Sequence, residues 1–160
     1  MPVTDIGTYL SDHLAGSTAA VQLLQHLKSI NKDELREKFL IRICSEIEAD
    51  QVSLQEMMTR LHFPANTSKS TVSWLAEKAA RLKLWIESTD SPLFWLESFE
   101  ALSLGIEGKL GLWKALLSAA IGTEIGIATL EELKRRATSQ RGRVEKFRIA
   151  AAKATLCKAT

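Results

Sequence analysis

The chain has 160 residues, of which 46% are hydrophobic and 25% charged, and its net charge is +2. This length suits one domain with a substantial core, and the composition excludes a disordered or low-complexity chain. A net charge this small creates no global field that would draw the protein to nucleic acid or to a membrane surface. We therefore expect a single domain over residues 1–160.

The N-terminal residues contain no basic segment followed by an apolar stretch, so no signal peptide is predicted. No apolar run reaches the ~20 residues of a membrane span, and we expect a soluble, cytoplasmic protein. Cys44 and Cys157 are far apart and form no CxxC spacing. Two reduced thiols are the preferred interpretation, with a disulfide or a metal-binding pair left open.

Apolar residues recur at steps of three, four and seven in the first two segments, a spacing typical of helices with one buried face. The first helix is predicted to begin at Thr4 or Asp5 and to end at Asn31. Its apolar face consists of Ile6, Leu10, Leu14, Val21, Leu24 and Leu27. The second runs from about Lys32 to Leu61. Its apolar face consists of Leu35, Phe39, Ile43, Ile47, Leu54, Met57 or Met58, and Leu61.

Residues 62–67 break this pattern, and Ser70 or Thr71 is expected to cap a shorter helix. The buried side of that helix carries Trp74, Leu75, Leu82 and Ile86. Residues 88–92 predict a stop and a restart, with Pro92 in the first helical turn. The helix that follows is predicted to bury Leu96, Phe99, Leu102, Ile106, Leu110, Trp113, Leu116 and Leu117.

Residues 122–128 are predicted to form a loop, and the last helix to begin near Thr129 with a capping box formed by Thr129 and Glu132. Its apolar positions are Leu130, Leu133, Ala137, Val144, Phe147, Ala151 and Leu156. No useful length of chain alternates with a period of two, so no sheet is expected.

Short connections make the first two and the last two long helices antiparallel pairs, and about thirty residues separate the pairs. Two hairpins joined by one long crossover give an all-α, antiparallel four-helix bundle with ferritin-like connectivity. The short extra helix then lies in the crossover between the second and third long helices.

Polar residues lie near the middle of each long helix, close to its predicted buried face, where polar groups need partners. They are Asp12 and His13 on the first helix, Glu46, Asp50 and Gln51 on the second, Glu100 and Glu107 on the third, and Gln140 on the last.

At these positions the chain resembles the ferritin-like superfamily, whose di-iron site takes a Glu from each of two helices and a Glu-x-x-His pair from each of the other two. On the second helix, the nearest pairs at that spacing are Glu48 with Gln51 and Ile47 with Asp50. On the last helix, the nearest pair at that spacing is Ala137 with Gln140. None of these pairs contains a histidine, so the di-iron site that the resemblance implies is incomplete here.

Segments 9–16, 100–109 and 140–145 also resemble a group of bacterial ferritin-like proteins to which we can assign no activity. That likeness implies a fold and no reaction. A non-catalytic structural or protein-interaction role is therefore the preferred interpretation, without a cofactor. The expected partners are a second copy, in a homodimer formed through a helix face, or an unknown protein.

The alternative is a metal-binding oxidoreductase of the ferritin-like type with atypical ligands. The candidate ligands are Asp12, His13, Glu46, Asp50, Glu100 and Glu107. Against it stands the interpretation that the carboxylates pair with basic side chains in a structural polar layer. The candidate cations are Arg42, Lys109, Arg141 and Arg148.

Two further patterns bear on function. Residues 131–160 contain nine Lys or Arg and three Glu, which gives this segment a local net charge of +6. These charges are spread around the helix without an aromatic platform, which favours a solvated face over a nucleic-acid site.

Gly105, Gly108 and Gly111 recur within one helix. We expect a neighbouring backbone, such as residues 15–17, to approach them closely, with a ligand as the alternative.

Overall fold

The computed structural model describes residues 5–63, 91–119 and 121–157, and every regular element in these ranges is helical. The all-α prediction is thereby confirmed. The helices belong to two compact units, Met1–Lys83 and Leu84–Thr160. None of the helices in the described ranges combines the length and the apolar character that crossing a membrane requires.

The first unit contains a helical hairpin of α1 (Asp5–Ile30) and α2 (Glu34–Arg60). Three residues join the helices and are held by their own hydrogen bonds. Asn31 Nδ2 donates to the carbonyl of Asp33 over 2.7 Å, and the Asp33 carboxylate accepts from the Arg36 backbone N–H over 2.6 Å. Asp33 is therefore the N-cap of α2, and so short a connection makes the two helices antiparallel.

The core of this hairpin follows the predicted apolar faces for most of their length. Its buried members include Leu10, Leu24, Leu27, Phe39, Ile43, Ile47, Leu54, Met57 and Met58. The prediction is wrong for Leu35, which is 72% exposed, and for Ile6, which is 40% exposed. Successive steps of four residues rotate the face by about 40° each, so Leu35 has turned out of the buried arc that Phe39 and Ile43 occupy.

The second unit contains α3 (Pro92–Ser118), the single-turn α4 (Gly122–Ile125) and α5 (Ile127–Leu156). The Ser91 hydroxyl caps α3 by accepting from the Phe94 N–H over 3.2 Å, and Pro92 lies in the first turn as predicted. Helices α3 and α5 pack against each other along their length.

The predicted loop over residues 122–128 is wrong in part, because it contains α4 and the start of α5. Gly126 has φ 107°, a left-handed conformation that turns the chain sharply between the two helices. Helix α5 consequently begins at Ile127, two residues before the expected position, and no side chain caps it. Thr129 already lies inside the first turn, so the capping box predicted with Glu132 is not formed.

The core of the second unit combines the predicted face of α3 with that of α5. Its buried members include Trp95, Leu96, Phe99, Leu102, Ile106, Leu110, Trp113, Leu116, Leu130, Leu133, Ala137 and Val144. Phe99 packs on Phe147 with ring centroids 5.9 Å apart. Leu156 is 70% exposed, so the apolar face of α5 ends earlier than predicted. The predicted short helix, with Trp74, and the crossover containing it lie outside the described residues.

We expect Asp33→Ala to lower the free energy of unfolding by about 1 kcal/mol, because the first-turn N–H of Arg36 loses its acceptor. Asp33→Asn should retain most of the stability, since asparagine caps nearly as well. Urea denaturation followed by circular dichroism measures both. Equal losses in the two variants would contradict a capping role.

Candidate functional site

Two of the candidate ligands in the first unit, Asp12 and His13, lie side by side on α1. Asp12 is exposed, while His13 is half-buried with its ring edge-on to Tyr9 at a centroid distance of 4.7 Å. Burial lowers the pKa of His13 from its ordinary value of 6.5, and the Asp12 carboxylate acts in the opposite direction. The imidazole is therefore held towards its neutral form.

The polar residues of α2 have mainly local or interhelical partners. Glu46 forms an ion pair with Arg42 one turn away, with Oε1 and Nε 3.0 Å apart. Gln51 Nε2 donates to Thr18 Oγ1 over 2.8 Å and so connects α2 to α1. Asp50 is buried, at 2% exposure. Gln51, which aligns with a ligand position of the ferritin-like pattern, thus connects the two helices of the hairpin.

The second unit contains a corresponding cross-link. Gln140 is the buried polar residue of α5, at 0% exposure, and its Oε1 accepts a hydrogen bond of 2.5 Å from Lys109 Nζ on α3. Its neighbours on the same helix face, Ala137 and Val144, are fully buried apolar side chains. A buried amide oxygen without a donor is costly, and the ammonium of Lys109 satisfies it.

The two candidate ligands on α3, Glu100 and Glu107, are engaged by arginines of α5. Arg148 Nη1 lies 3.2 Å from Glu100 Oε1, and Arg141 Nη1 lies 3.1 Å from Glu107 Oε2. Arg148 also binds Glu145 through two hydrogen bonds of 2.6 and 2.8 Å, and these lower the pKa of Glu145. Glu145 was not among the sequence candidates, although its spacing from Arg148 is a recognisable helical ion-pair signal.

These contacts share one antiparallel register. Glu100 precedes Glu107 by seven positions on α3, and its partner Arg148 follows Arg141 by seven positions on α5. Lys109 follows Glu107 by two positions and Gln140 precedes Arg141 by one, so their contact continues the same series. The polar residues predicted at mid-height in this unit therefore form one continuous set of contacts between α3 and α5.

A shallow groove of about 700 Å³ follows this set of ion pairs. It is lined by Glu100, Ser103, Leu104, Leu110, Thr138, Arg141, Gly142, Glu145 and Arg148. Its charged groups are already paired, Glu100 and Glu145 with Arg148 and Arg141 with Glu107 outside the lining, so the groove presents little uncompensated charge to a ligand.

The described residues assemble no metal site within either unit. The described residues of each contain no group of three or more His, Cys, Asp and Glu side chains placed to hold an ion. Asp12, His13, Glu46 and Asp50 belong to the first unit, and Glu100 and Glu107 to the second. The metal assignment stays a prediction.

The glycines of α3 make no close approach to another backbone within the described part of their own unit. Gly105, Gly108 and Gly111 are exposed, and a Cβ built on any of them meets no described atom within 4 Å. Gly108 and Gly111 lie on the side of α3 opposite its buried arc, so no described part of the second unit covers them, and the approach of residues 15–17 stays a prediction. Leu104, on the same side, is 74% exposed and was missed from the sequence.

The basic residues of α5 are partly neutralised. Lys134 pairs with Glu131 and Arg135 with Glu132 at distances of 2.6 and 2.7 Å, in addition to the pairs of Arg141 and Arg148. This pairing within the described part of α5 reduces the charge that could bind phosphates.

Comparison with known proteins found no matching family model, no matching curated protein and no matching solved structure. The resemblance to ferritin-like proteins is therefore neither supported nor contradicted by relatives.

We expect Gly108→Ala and Gly111→Ala each to raise the free energy of unfolding by about 0.5–1 kcal/mol, because alanine is the better helix former and its methyl group meets open space. Thermal and urea denaturation in dilute solution measure the gain. Gly122→Ala is the contrasting variant, since its Cβ would lie 2.5 Å from the Leu116 carbonyl oxygen and should destabilise. A loss of stability in the α3 variants would show that something packs on these glycines in the folded chain.

We expect folding stability to fall as the pH drops below 6.5, the ordinary pKa of His13. The unfolded chain then takes up a proton that the folded chain resists, because the pKa is lowered on folding. His13→Gln should flatten the dependence between about pH 5 and 7. Urea unfolding at a series of pH values measures it, and identical slopes in both proteins would contradict the burial of this imidazole.

Proposed function

We propose that this chain is a non-catalytic protein of the ferritin-like type, in which two helical hairpins form a four-helix bundle that binds another protein. The observation that carries the proposal is the buried hydrogen bond from Lys109 to Gln140. In the ferritin-like pattern, Gln140 is the residue of the last helix at the metal position. In this chain a cation is already bound to it.

An ammonium at that position opposes a metal ion electrostatically. A divalent ion about 4 Å from a unit positive charge is repelled by roughly 8 kcal/mol at an effective dielectric constant of about 20. A neutral amide is in addition a weaker ligand for such an ion than the imidazole that the ferritin-like pattern has at this position. The pair of Lys109 and Gln140 therefore favours a structural function for this polar layer.

The carboxylates of α3 support the same conclusion. Glu100 and Glu107 would have to leave Arg148 and Arg141 before they could bind a metal. Arg148 would then retain Glu145 as its partner, whereas the known partner of Arg141 in the described residues is Glu107. Metal binding would thus break an existing set of contacts between α3 and α5.

An open helix face favours protein binding over a purely internal structural role. Leu104 projects from α3 beside Gly108 and Gly111, which lack the side chains that would normally cover a helix. Glycine in a helix interior costs about 1 kcal/mol relative to alanine, and no contact with described residues offsets that cost here. Close packing of another protein on the bare backbone would offset it.

The cysteines support a reducing compartment. Cys44 is buried and Cys157 exposed, and both are free thiols. Free thiols are usual in cytoplasmic proteins and uncommon in secreted ones. We therefore propose a cytoplasmic location.

Metal analysis tests the proposal against the oxidoreductase alternative. The purified protein is incubated with Fe²⁺ or Mn²⁺, desalted and analysed by inductively coupled plasma mass spectrometry. We expect only trace metal, because the ammonium of Lys109 and the arginine ion pairs oppose binding. About two equivalents per chain that disappear in Asp50→Asn and Glu107→Gln would overturn the non-catalytic assignment.

Glu131→Gln is the matched control for Glu107→Gln. Both carboxylates are about half exposed and each is paired with one cation, at 51% exposure for Glu131 and 48% for Glu107. Metal lost equally in both variants would indicate nonspecific surface binding and would leave the proposal in place. Circular dichroism shows whether each variant retains its helical content.

A further inference from the structure

The exposed side of α3 has a directional pattern that no contact among the described residues explains. We define the α3 open face as Glu97, Ala101, Leu104, Gly108, Gly111, Lys114 and Ala115. All of these residues are exposed except Ala101, which is partly exposed. Glu97, Ala101, Leu104, Gly108, Gly111 and Ala115 follow steps of three and four, so they form a continuous stripe along one side of the helix, and Lys114 borders its C-terminal end.

The two halves of this stripe differ in size and in charge. The N-terminal half carries the acidic Glu97 and the large Leu104, which is 74% exposed. The C-terminal half carries the basic Lys114 together with Gly108 and Gly111, which have no side chain. A Cβ atom built on either glycine would meet no described atom within 4 Å. One half is therefore the steric and electrostatic complement of the other.

We propose that a second copy of this chain packs antiparallel on the α3 open face, about a twofold axis that crosses this face midway between Leu104 and Gly108, and the proposal rests on the protein-binding function argued above. An antiparallel copy brings each half of the stripe onto the opposite half of its partner. The interface is then isologous, with every contact made twice.

The antiparallel arrangement matches large residues with small ones. With the axis at this position, Leu104 of one copy faces Gly108 of the other, and Ala101 faces Gly111. The leucine side chain enters the space that the missing Cβ atoms leave open. Small residues at such a crossing allow the two helix axes to approach to the lower end of the usual 8–10 Å range.

The same arrangement pairs opposite charges. Glu97 of one copy faces Ala115 of the other, and the neighbouring Lys114 is within reach of its carboxylate. Neither Glu97 nor Lys114 has an ion-pair partner among the described residues. A parallel copy would instead place Glu97 against Glu97 and Leu104 against Leu104, which is unfavourable both electrostatically and sterically.

The first experiment measures the oligomeric state of the full chain by analytical ultracentrifugation over a range of protein concentrations. We expect a concentration-dependent dimer for the natural sequence. Leu104→Ser and Gly108→Leu should each weaken it about tenfold or more, since one removes the inserted side chain and the other fills its site. Gly108→Leu improves helix propensity, so its effect cannot be attributed to a failure to fold.

Leu35→Ser is the matched control, because Leu35 on α2 is 72% exposed and Leu104 is 74% exposed. It should leave the dimer unchanged. A chain that stays monomeric at every concentration would overturn the proposed dimer without affecting the non-catalytic assignment, which fails only on specific metal loading. A dimer that is equally weakened by both serine variants, or by neither, would also overturn it.

The second experiment tests the orientation of the copies. Glu97→Lys alone places two lysines together at each end and should weaken the dimer about fivefold. The double variant Glu97→Lys with Lys114→Glu restores opposite charges across the interface and should recover the affinity of the natural sequence. A double variant that binds as weakly as the single one would overturn the antiparallel arrangement.

Discussion

The hydrogen bond between Lys109 and Gln140 is the constraint on which the second unit depends. Every other position along the buried face of α5, from Leu130 to Val144, is apolar, so Gln140 can be buried only where α3 supplies a donor. That requirement selects a single register for the two helices. In this register Arg141 and Arg148 reach Glu107 and Glu100. Buried polar contacts of this kind specify register even where they add little net stability.

In the first unit, the hydrogen bond between the two helices joins uncharged side chains. Gln51 on α2 donates to Thr18 on α1, and Asp33 fixes the start of α2 at the other end of the hairpin. Apolar faces alone permit helices to slide by one turn at modest cost, since leucine and isoleucine contacts are not directional. A directional contact near mid-height removes that freedom in each unit.

Helix boundaries and most core residues could be predicted from the sequence, because periodicity and capping are local properties. Ser91 with Pro92 marked the start of α3 correctly. The start of α5 could not be predicted in the same way, since it depends on the left-handed conformation of Gly126, and a capping motif at Thr129 offered a plausible competing start.

For the candidate site, the sequence identified the polar residues and their cations but not which cation binds which carboxylate. Those pairings depend on the register between α3 and α5, which is a tertiary property. The exposure of Gly105, Gly108 and Gly111 could not be predicted for a related reason. Helical periodicity shows that three glycines share one side of a helix, but the exposure of that side depends on where the other helices pack.

The same glycines have a consequence for the motions of α3. Glycine weakens the helix on the exposed side of α3, whereas Ile106 and Leu110 are buried on the opposite side of the same turns and Lys109 is bound to Gln140. The backbone hydrogen bonds on the exposed side around Gly108 should therefore exchange with solvent more readily than those on the buried side. Helix α3 would then bend by lengthening hydrogen bonds on one side only, while its buried side keeps the two ends aligned.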